Sequence, residues 1–439
     1  MRNIIALIAA FRYAATKALI TALRGVRVTE SSSASAPVGV LPATAARLRL
    51  PRAAAFGGIA AIVVLFLAAS SAPSPLYVVY QHQWGFSATT LTAVFAVYVL
   101  GLIAALLVLG ALSDHIGRRP VLAAALLLEA LSLLLFLTAD GVGTLFLARV
   151  LQGIATGAAT TTLGATLVDL APPHAPARAG VVNGVAPISG LALGALGCGA
   201  LVQYGPAPTH LVFALLLAGM LVAAIVVVLL PETSPRRPGA AASLAPRLGI
   251  PARLRGDVLV IVPILVASWA LGGLYLSLGP SVAATLFGLH NHLAGGLVVT
   301  VLCGTGAVTA FALRRVPALR LLRPASLLLA TGTAVTLAGM AGAGLAAGIA
   351  GTVIAGVGFG ASSLATFGTM ARLAGPAERG ELFAVAYTIA YLAFSLPAVA
   401  AGLATTATGL RPTAIVYSLA VIVLALAALA ARELRRSRA

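Results

Sequence analysis

Apolar runs of roughly twenty residues, each bounded by charged, proline or glycine clusters, recur twelve times along the chain. They cover residues 54–79, 89–111, 121–139, 143–168, 179–201, 209–230, 257–279, 293–313, 324–341, 343–368, 381–404 and 411–431. About 20 such residues are what a helix needs to cross a hydrocarbon layer of roughly 30 Å. Short alternating segments of the kind that build a membrane β-barrel are not visible. The pattern therefore predicts an all-α, polytopic membrane protein with twelve transmembrane helices in two six-helix lobes.

Composition agrees with this reading. Apolar residues make up 60% and charged residues 9% of the 439 positions, far from the balance of a water-soluble domain. The chain holds 46 glycines, which suit membrane helices that approach through small-residue faces. Two cysteines, Cys198 and Cys303, are too few for a disulfide scaffold and lie in apolar runs, where reduced core thiols are expected.

The formal net charge of +18 would suggest nucleic acid in a soluble protein, but here its placement reports topology. Basic residues crowd the segment up to Arg52, alternate loops (Arg118 and Arg119; Arg178; Arg236 to Arg255; Arg314 to Arg323; Arg372 and Arg379) and the tail from Arg432. Only Arg149, inside span 4, and Arg411, on the opposite side, depart from this alternation. Both termini are thus expected in the cytoplasm, with the chain multi-pass in a bacterial cytoplasmic (inner) membrane. The expected organisation is a basic N-terminal segment (1–52), a first lobe (53–231), a cytoplasmic linker (232–256), a second lobe (257–431) and a short tail (432–439).

Three readings compete for residues 1–50. One is a disordered basic tail or an upstream start. Another is an amphipathic surface helix over 4–23 with Ile4, Ile8, Phe11, Ala15 and Leu19 on one stripe. A cleaved signal peptide is disfavoured, because it would leave Arg47, Arg49 and Arg52 outside.

The loop between spans 2 and 3 reads Gly110-Ala-Leu-Ser-Asp114-His-Ile-Gly117-Arg118-Arg119-Pro. As chemistry this is a tight turn with a hydrogen-bond-accepting carboxylate and interfacial arginines, and an ordinary basic loop would look similar. It resembles the signature G-x-L-a-D-r-x-G-r-r of the major facilitator superfamily, departing at His115. Span 4 carries Arg149-Val-Leu-Gln152-Gly153, similar to the family's R-x-x-Q-G. Asp169, which ends span 4, looks like the family's fourth-helix acid, and Pro231-Glu232-Thr233 like a frequent sixth-helix ending. The resemblance implies a cytoplasmic charge cluster of Asp114, Arg118 and Asp169 that locks an outward-facing state, and a monomeric transporter. Sugar-porter motifs are missing from the second half, which leaves drug or metabolite exporters as the nearer kin. The exporter motif of helix 5 survives only in Pro187 and Gly190, so direction stays open.

Inside the spans ionisable residues are scarce. Glu129 stands in the middle of span 3, where a carboxyl either protonates or pairs, as proton coupling requires; a neutral, structural Glu is the alternative. Arg149 is the one basic residue in a neighbouring span able to oppose it, unless it snorkels to the outer interface. Pro73 and Pro75 in span 1 must break or kink the helix and free carbonyls beside a cavity. Candidate substrate walls are Pro73, Pro75, Tyr77, Asn183, Trp269, Tyr275, Phe359, Phe367, Tyr387 and Tyr391, although interhelical or lipid-facing packing is the safer reading for any single aromatic.

The six histidines (82, 115, 174, 210, 290 and 292) fall in loops or at their edges, so no intramembrane metal or histidine-based catalytic site can be assembled. No phosphate-binding loop is present. The expectation is a protein without cofactor or enzymatic activity. Its partners are a small-molecule substrate, protons and the bilayer, with no nucleic acid. The first reading is proton-coupled export of a small amphipathic molecule by alternating access. Import of a small organic acid with Arg149 as anion partner, and a non-transporting membrane receptor, are the alternatives.

Overall fold

The computed structural model describes residues 49–245, 249–373, 375 and 378–436. The candidate surface helix over 4–23 lies outside the described residues. Twelve long helices account for the apolar runs, and no strand occurs among the described residues. In the first lobe they are α1 (Arg52–Ser71 continued by Pro73–Trp84), α2 (Ala88–Leu109), α3 (Arg118–Leu137), α4 (Val142–Leu170), α5 (Ala177–Tyr204) and α6 (Leu211–Leu229). The second lobe holds α7 (Arg255–Ser277, followed by the short Gly279–Leu286), α8 (His292–Ala312), α9 (Ala318–Ala338), α10 (Gly344–Leu373), α11 (Arg379–Thr408) and α12 (Leu410–Arg436).

Residues 318–373 form a nearly continuous helical stretch of 56 residues, about 84 Å if straight, too long for one crossing. It is a hairpin instead. A turn of π-helix at Gly339–Ala343 reverses the chain through Gly342 (φ 135°) and Gly344 (φ 87°), conformations that exclude ordinary side chains.

The proline pair in α1 acts through hydrogen bonding more than direction. Ala72 keeps helical φ/ψ of −52° and −39°, and the helix resumes at once. Because Pro73 has no amide proton, the carbonyl of Ala69 loses its donor four residues on. In hydrocarbon that oxygen must find another partner, and it does so in α4, as described below.

Small residues set the helix spacing. A Cβ on Gly153 of α4 would lie 2.0 Å from the Tyr98 carbonyl oxygen of α2, and one on Gly194 of α5 would lie 2.1 Å from that of Ala68 in α1. The lobes meet along two lines. On the first, Gly199 of α5 and Gly296 of α8 are in backbone contact, and Thr300 Oγ1 donates to Ala192 O at 3.1 Å. Nearby, the His292 amide donates to Gln203 Oε1 at 3.0 Å. On the second, Thr89 of α2 bonds Gly402 O (3.2 Å) and Thr406 Oγ1 (2.9 Å) of α11. These bonds lie towards the end of the bundle remote from the Arg118 and Arg236 loops.

Gly153→Ala forces backbone against backbone and should destabilise the protein by about 1–3 kcal/mol, whereas Gly143→Ala, with nothing within 4 Å of its added Cβ, should leave stability unchanged or slightly raised. Thermal unfolding in detergent measures both, and equal melting of the two variants would contradict this packing.

Candidate functional site

At the basic end, the turn Ser113–Ile116 closes at Gly117 (φ 114°), where a Cβ would also meet Glu232 Oε2 at 2.7 Å. The Arg118 side chain is 7% exposed and works as a fork. Nη1 bonds Asp114 Oδ1 (2.7 Å) and Ser113 Oγ (2.6 Å), while Nε reaches Asp169 Oδ2 at 3.2 Å. Thr233 Oγ1 donates to the same Asp169 oxygen at 2.9 Å, and Arg52 Nη2 donates to the Asp169 carbonyl at 2.6 Å. Arg119 turns the other way and donates to the Val227 and Val228 carbonyls at the end of α6, a favourable place for a cation. Gly110 ends α2 one turn earlier, its Cβ position 3.7 Å from Thr161 of α4. His115 Nδ1 lies 3.0 Å from the Arg237 carbonyl in the linker.

Glu232 is the cluster's unexpected member. Gly117 has no side chain with which to cap α3, and Glu232 supplies the cap from 114 residues away, accepting from the amides of Arg118 (2.9 Å) and Arg119 (3.3 Å). It also takes the amide of Ser234 at 3.0 Å. Burial pushes this carboxyl upward, but the amide bonds from Ser234, Arg118 and Arg119, with Arg236 nearby, win and hold it below the usual carboxylate range. The Pro231-Glu232-Thr233 ending was the available signal, and its role could not be read before α6 met α3.

A second constellation is enclosed inside the first lobe. Glu129, Arg149 and Gln152 all have zero exposure, so Arg149 does not snorkel. Arg149 Nε donates to Tyr77 Oη (2.6 Å), and Nη1 donates to the Ser70 carbonyl (2.9 Å) and to Gln152 Oε1 (2.6 Å). Gln152 Nε2 then donates to Glu129 Oε1 at 3.0 Å and to the Ala69 carbonyl, the one Pro73 released, at 3.2 Å. Glu129 and Arg149 are therefore joined through Gln152 rather than in direct contact. Rings of Tyr77, Tyr98 and Phe136 stand 5.2–5.8 Å from the guanidinium. Ser70 Oγ and Tyr98 Oη, 2.9 Å apart, extend the network into α2. Two charged-group atoms, Glu129 Oε2 and Arg149 Nη2, have no hydrogen-bond partner, nor does the buried Ser74 Oγ of α1.

The aromatic candidates separate into distinct places. Trp269 packs edge-on to Tyr391 (4.9 Å) and Phe367 (6.3 Å), and Tyr387 lies 5.0 Å from Phe367, making one wall in the second lobe. Phe394 joins it and faces Phe95 of the first lobe at 5.0 Å. Phe359 lies beside Phe394 over Gly272. Pro73 and Tyr77 belong to the Arg149 network instead, and Pro75 is buried within one turn of them in the same helix. Asn183 ties α5 to α4 through Gly164 O at 3.3 Å, and Tyr275 bonds Thr352 in the second lobe at 2.9 Å. Sequence reasoning missed Tyr98, Ser70 and Phe394, which carry no charge and stand in no motif. No cluster of three metal-ligating side chains occurs among the described residues.

Solved structures share this architecture. A bacterial homologue of the human lysosomal transporter Spinster, crystallised inward-facing, superposes with a TM-score of 0.68 at 14% identity, covering 87% of this chain and 97% of that one. The human organic anion transporter MFSD10 (TETRAN) gives 0.63 at 19% identity, covering 87% and 100%. The nucleoside transporter NupG gives 0.65 at 12% identity, with the same coverage of 87% and 100%. At such identities the likeness concerns the fold alone. In sequence, the MFS-type transporter paaT of Penicillium rubens is 33% identical over 89 residues, a stretch that spans 20% of this chain and 16% of that protein. Residues 59–398, most of the chain, match the Major Facilitator Superfamily. With the twelve-helix fold and the Asp114–Arg118–Asp169 cluster in place, the chain belongs to the Major Facilitator Superfamily, a family of membrane transporters and not of enzymes.

Proposed function

We propose that the protein is a proton-coupled secondary transporter that exports a small amphipathic molecule by alternating access, with Glu129 as the proton carrier. The observation that carries this reading is the unpartnered Oε2 of Glu129, held at zero exposure two hydrogen bonds from an equally buried arginine. A carboxylate in such a place gains from taking up a proton, and Gln152 can accommodate either state because its amide bonds the other oxygen. Ser70 and Tyr98 connect the network to α2, which carries Phe95 against the aromatic wall of the second lobe. Binding in the space between the lobes can thereby bias the proton site.

The scarcity of charge beside the Trp269, Tyr387 and Tyr391 wall favours an apolar or amphipathic substrate. Import of an organic acid on Arg149 is less favoured, since three of its polar contacts and three rings already enclose the guanidinium. Both termini are placed in the cytoplasm on the charge asymmetry of the loops. With that orientation the interlobe bonds of Thr89, Thr300 and His292 close the outer side, and the Arg118 cluster sits at the inner gate.

Glu129→Gln preserves size and the bond from Gln152, so the variant should fold normally while substrate-driven proton flux falls to the level of empty liposomes. A pH-sensitive dye inside the vesicles, with pools of lipophilic cations and of small organic acids, reads both size and sign of the flux. Flux equal to wild type would remove Glu129 from coupling, and saturable binding without flux would favour a receptor.

Arg118→Lys keeps the charge but cannot bond Asp114, Ser113 and Asp169 from one planar group. Two charge-assisted bonds worth about 1.5–3 kcal/mol each are at stake, so transport should slow about tenfold or more. Initial rates in the same liposomes measure this, and an unchanged rate would deny the cluster a gating role.

A further inference from the structure

The two lobes repeat one helix order, so α7 and α10 stand in the second lobe where α1 and α4 stand in the first. Tyr77 of α1 meets Arg149 of α4; Tyr275 of α7 meets Thr352 of α10. A threonine fills far less space than an arginine. At this place lies a cavity of about 210 Å³, walled by α7, the short Gly279–Leu286 helix, α8, α9, α10 and α12.

Its chemistry is the opposite of the first lobe's. Lining side chains include Leu271, Val301, Met340, Leu345 and Ile349, and no charged residue contributes. The threonine and tyrosine hydroxyls that reach it are already engaged: Thr333 Oγ1 donates to Leu329 O, Thr336 Oγ1 to Gly332 O, Thr352 Oγ1 to Gly348 O, and Tyr275 Oη pairs with Thr352 Oγ1, which leaves the Ser418 hydroxyl as the one small polar spot in the lining. No buried unpartnered polar atom borders the cavity. Such a wall offers little to a polar ligand and suits a hydrocarbon.

The way in is sideways. Leu297 of α8 and Leu345 and Ile349 of α10 line the cavity and are 40%, 39% and 51% exposed, so the cavity opens to the outside between these two apolar helices, where a hydrocarbon layer would lie against them. At the rim, Arg411 Nη2 donates to the carbonyl of Met340, itself a lining residue, and Arg411 is exposed. This arginine is the one loop residue that departs from the basic alternation, and it stands in the first turn of α12, where a membrane-spanning helix meets the headgroup region. An apolar slot beneath an interfacial cation matches a chain carrying an anionic head.

From this juxtaposition we infer that the second lobe binds one anionic lipid of the adjoining leaflet, its hydrocarbon chain in the cavity between α8 and α10 and its headgroup on Arg411. The site is separate from the Glu129 network and from the aromatic wall, and it stands whether or not the protein exports anything.

The test uses palmitic acid with a diazirine near its terminal methyl, photolysed with the full-length protein in phosphatidylcholine vesicles and mapped by peptide mass spectrometry. Labelling should concentrate on residues 294–301 and 345–352 and be saturable by unlabelled palmitate. Val301→Phe, which fills the cavity, should lower it about tenfold, and Arg411→Gln should lower labelling by the acid about tenfold while sparing its methyl ester. Labelling spread evenly over lipid-facing helices, or insensitive to unlabelled palmitate, would overturn the inference. Saturability in the wild type is decisive even if Val301→Phe does not fold.

Discussion

A guanidinium with no access to water, in a chain whose surroundings are hydrocarbon, must be satisfied by the protein alone. Arg149 meets most of that demand through Tyr77, the Ser70 carbonyl, Gln152 and three aromatic rings, with Nη2 alone left without a hydrogen bond. Much of the first lobe follows from it. Pro73 leaves a carbonyl for Gln152, and Gly153 lets α2 approach α4 so that the Tyr98 ring can lie beside the charge. The run Arg149-Val-Leu-Gln152-Gly153 is thus one device: a cation, the amide that connects it to Glu129, and the missing side chain that brings its aromatic wall into reach.

At the basic end the same problem has a different solution, because water is near. Here backbone amides and carboxylates share the work. Glu232 caps α3 and Arg119 caps α6, so the starts and ends of two helices hold one another, with Arg118 bridging to α4 through Asp169. Interlobe bonds lie towards the other end, at Thr89, Thr300 and His292. One end therefore ties helices within a lobe, and the other ties lobe to lobe.

The twelve spans were legible because each is a single stretch of apolar residues, a property local in sequence; even the α9–α10 hairpin, continuous in helical structure, was separable at its glycines. Asp114, Arg118 and Asp169 were legible through spacing that the family shares, and the structure brings them within hydrogen-bonding reach. Relations that depend on tertiary register were not. Glu129 and Arg149 are neighbours as expected, but Gln152 comes between them because it sits one turn below the arginine on the same face of α4. Tyr275 and Trp269, six residues apart on one helix, are alike in sequence terms but meet different neighbours, Thr352 for the one and the Tyr391 ring for the other, a consequence of helical rotation. Tyr98 and Ser70 gave no signal, since a neutral hydroxyl carries no mark of the partner it will find.

The contact of Gly199 with Gly296 bears on mechanics. Where knobs interlock, one body can turn on another only by lifting its side chains out of their sockets. Bare backbone against bare backbone has no such teeth. At this crossing the lobes can roll with dispersion contact kept, and the resistance comes from the side chains packed further along the seam, Ile188 and Ala192 with Val299 and Cys303, and from the directional bonds of Thr300 and His292. The seam is therefore a bearing rather than a latch, and the bonds beside it set how much load it holds before it turns.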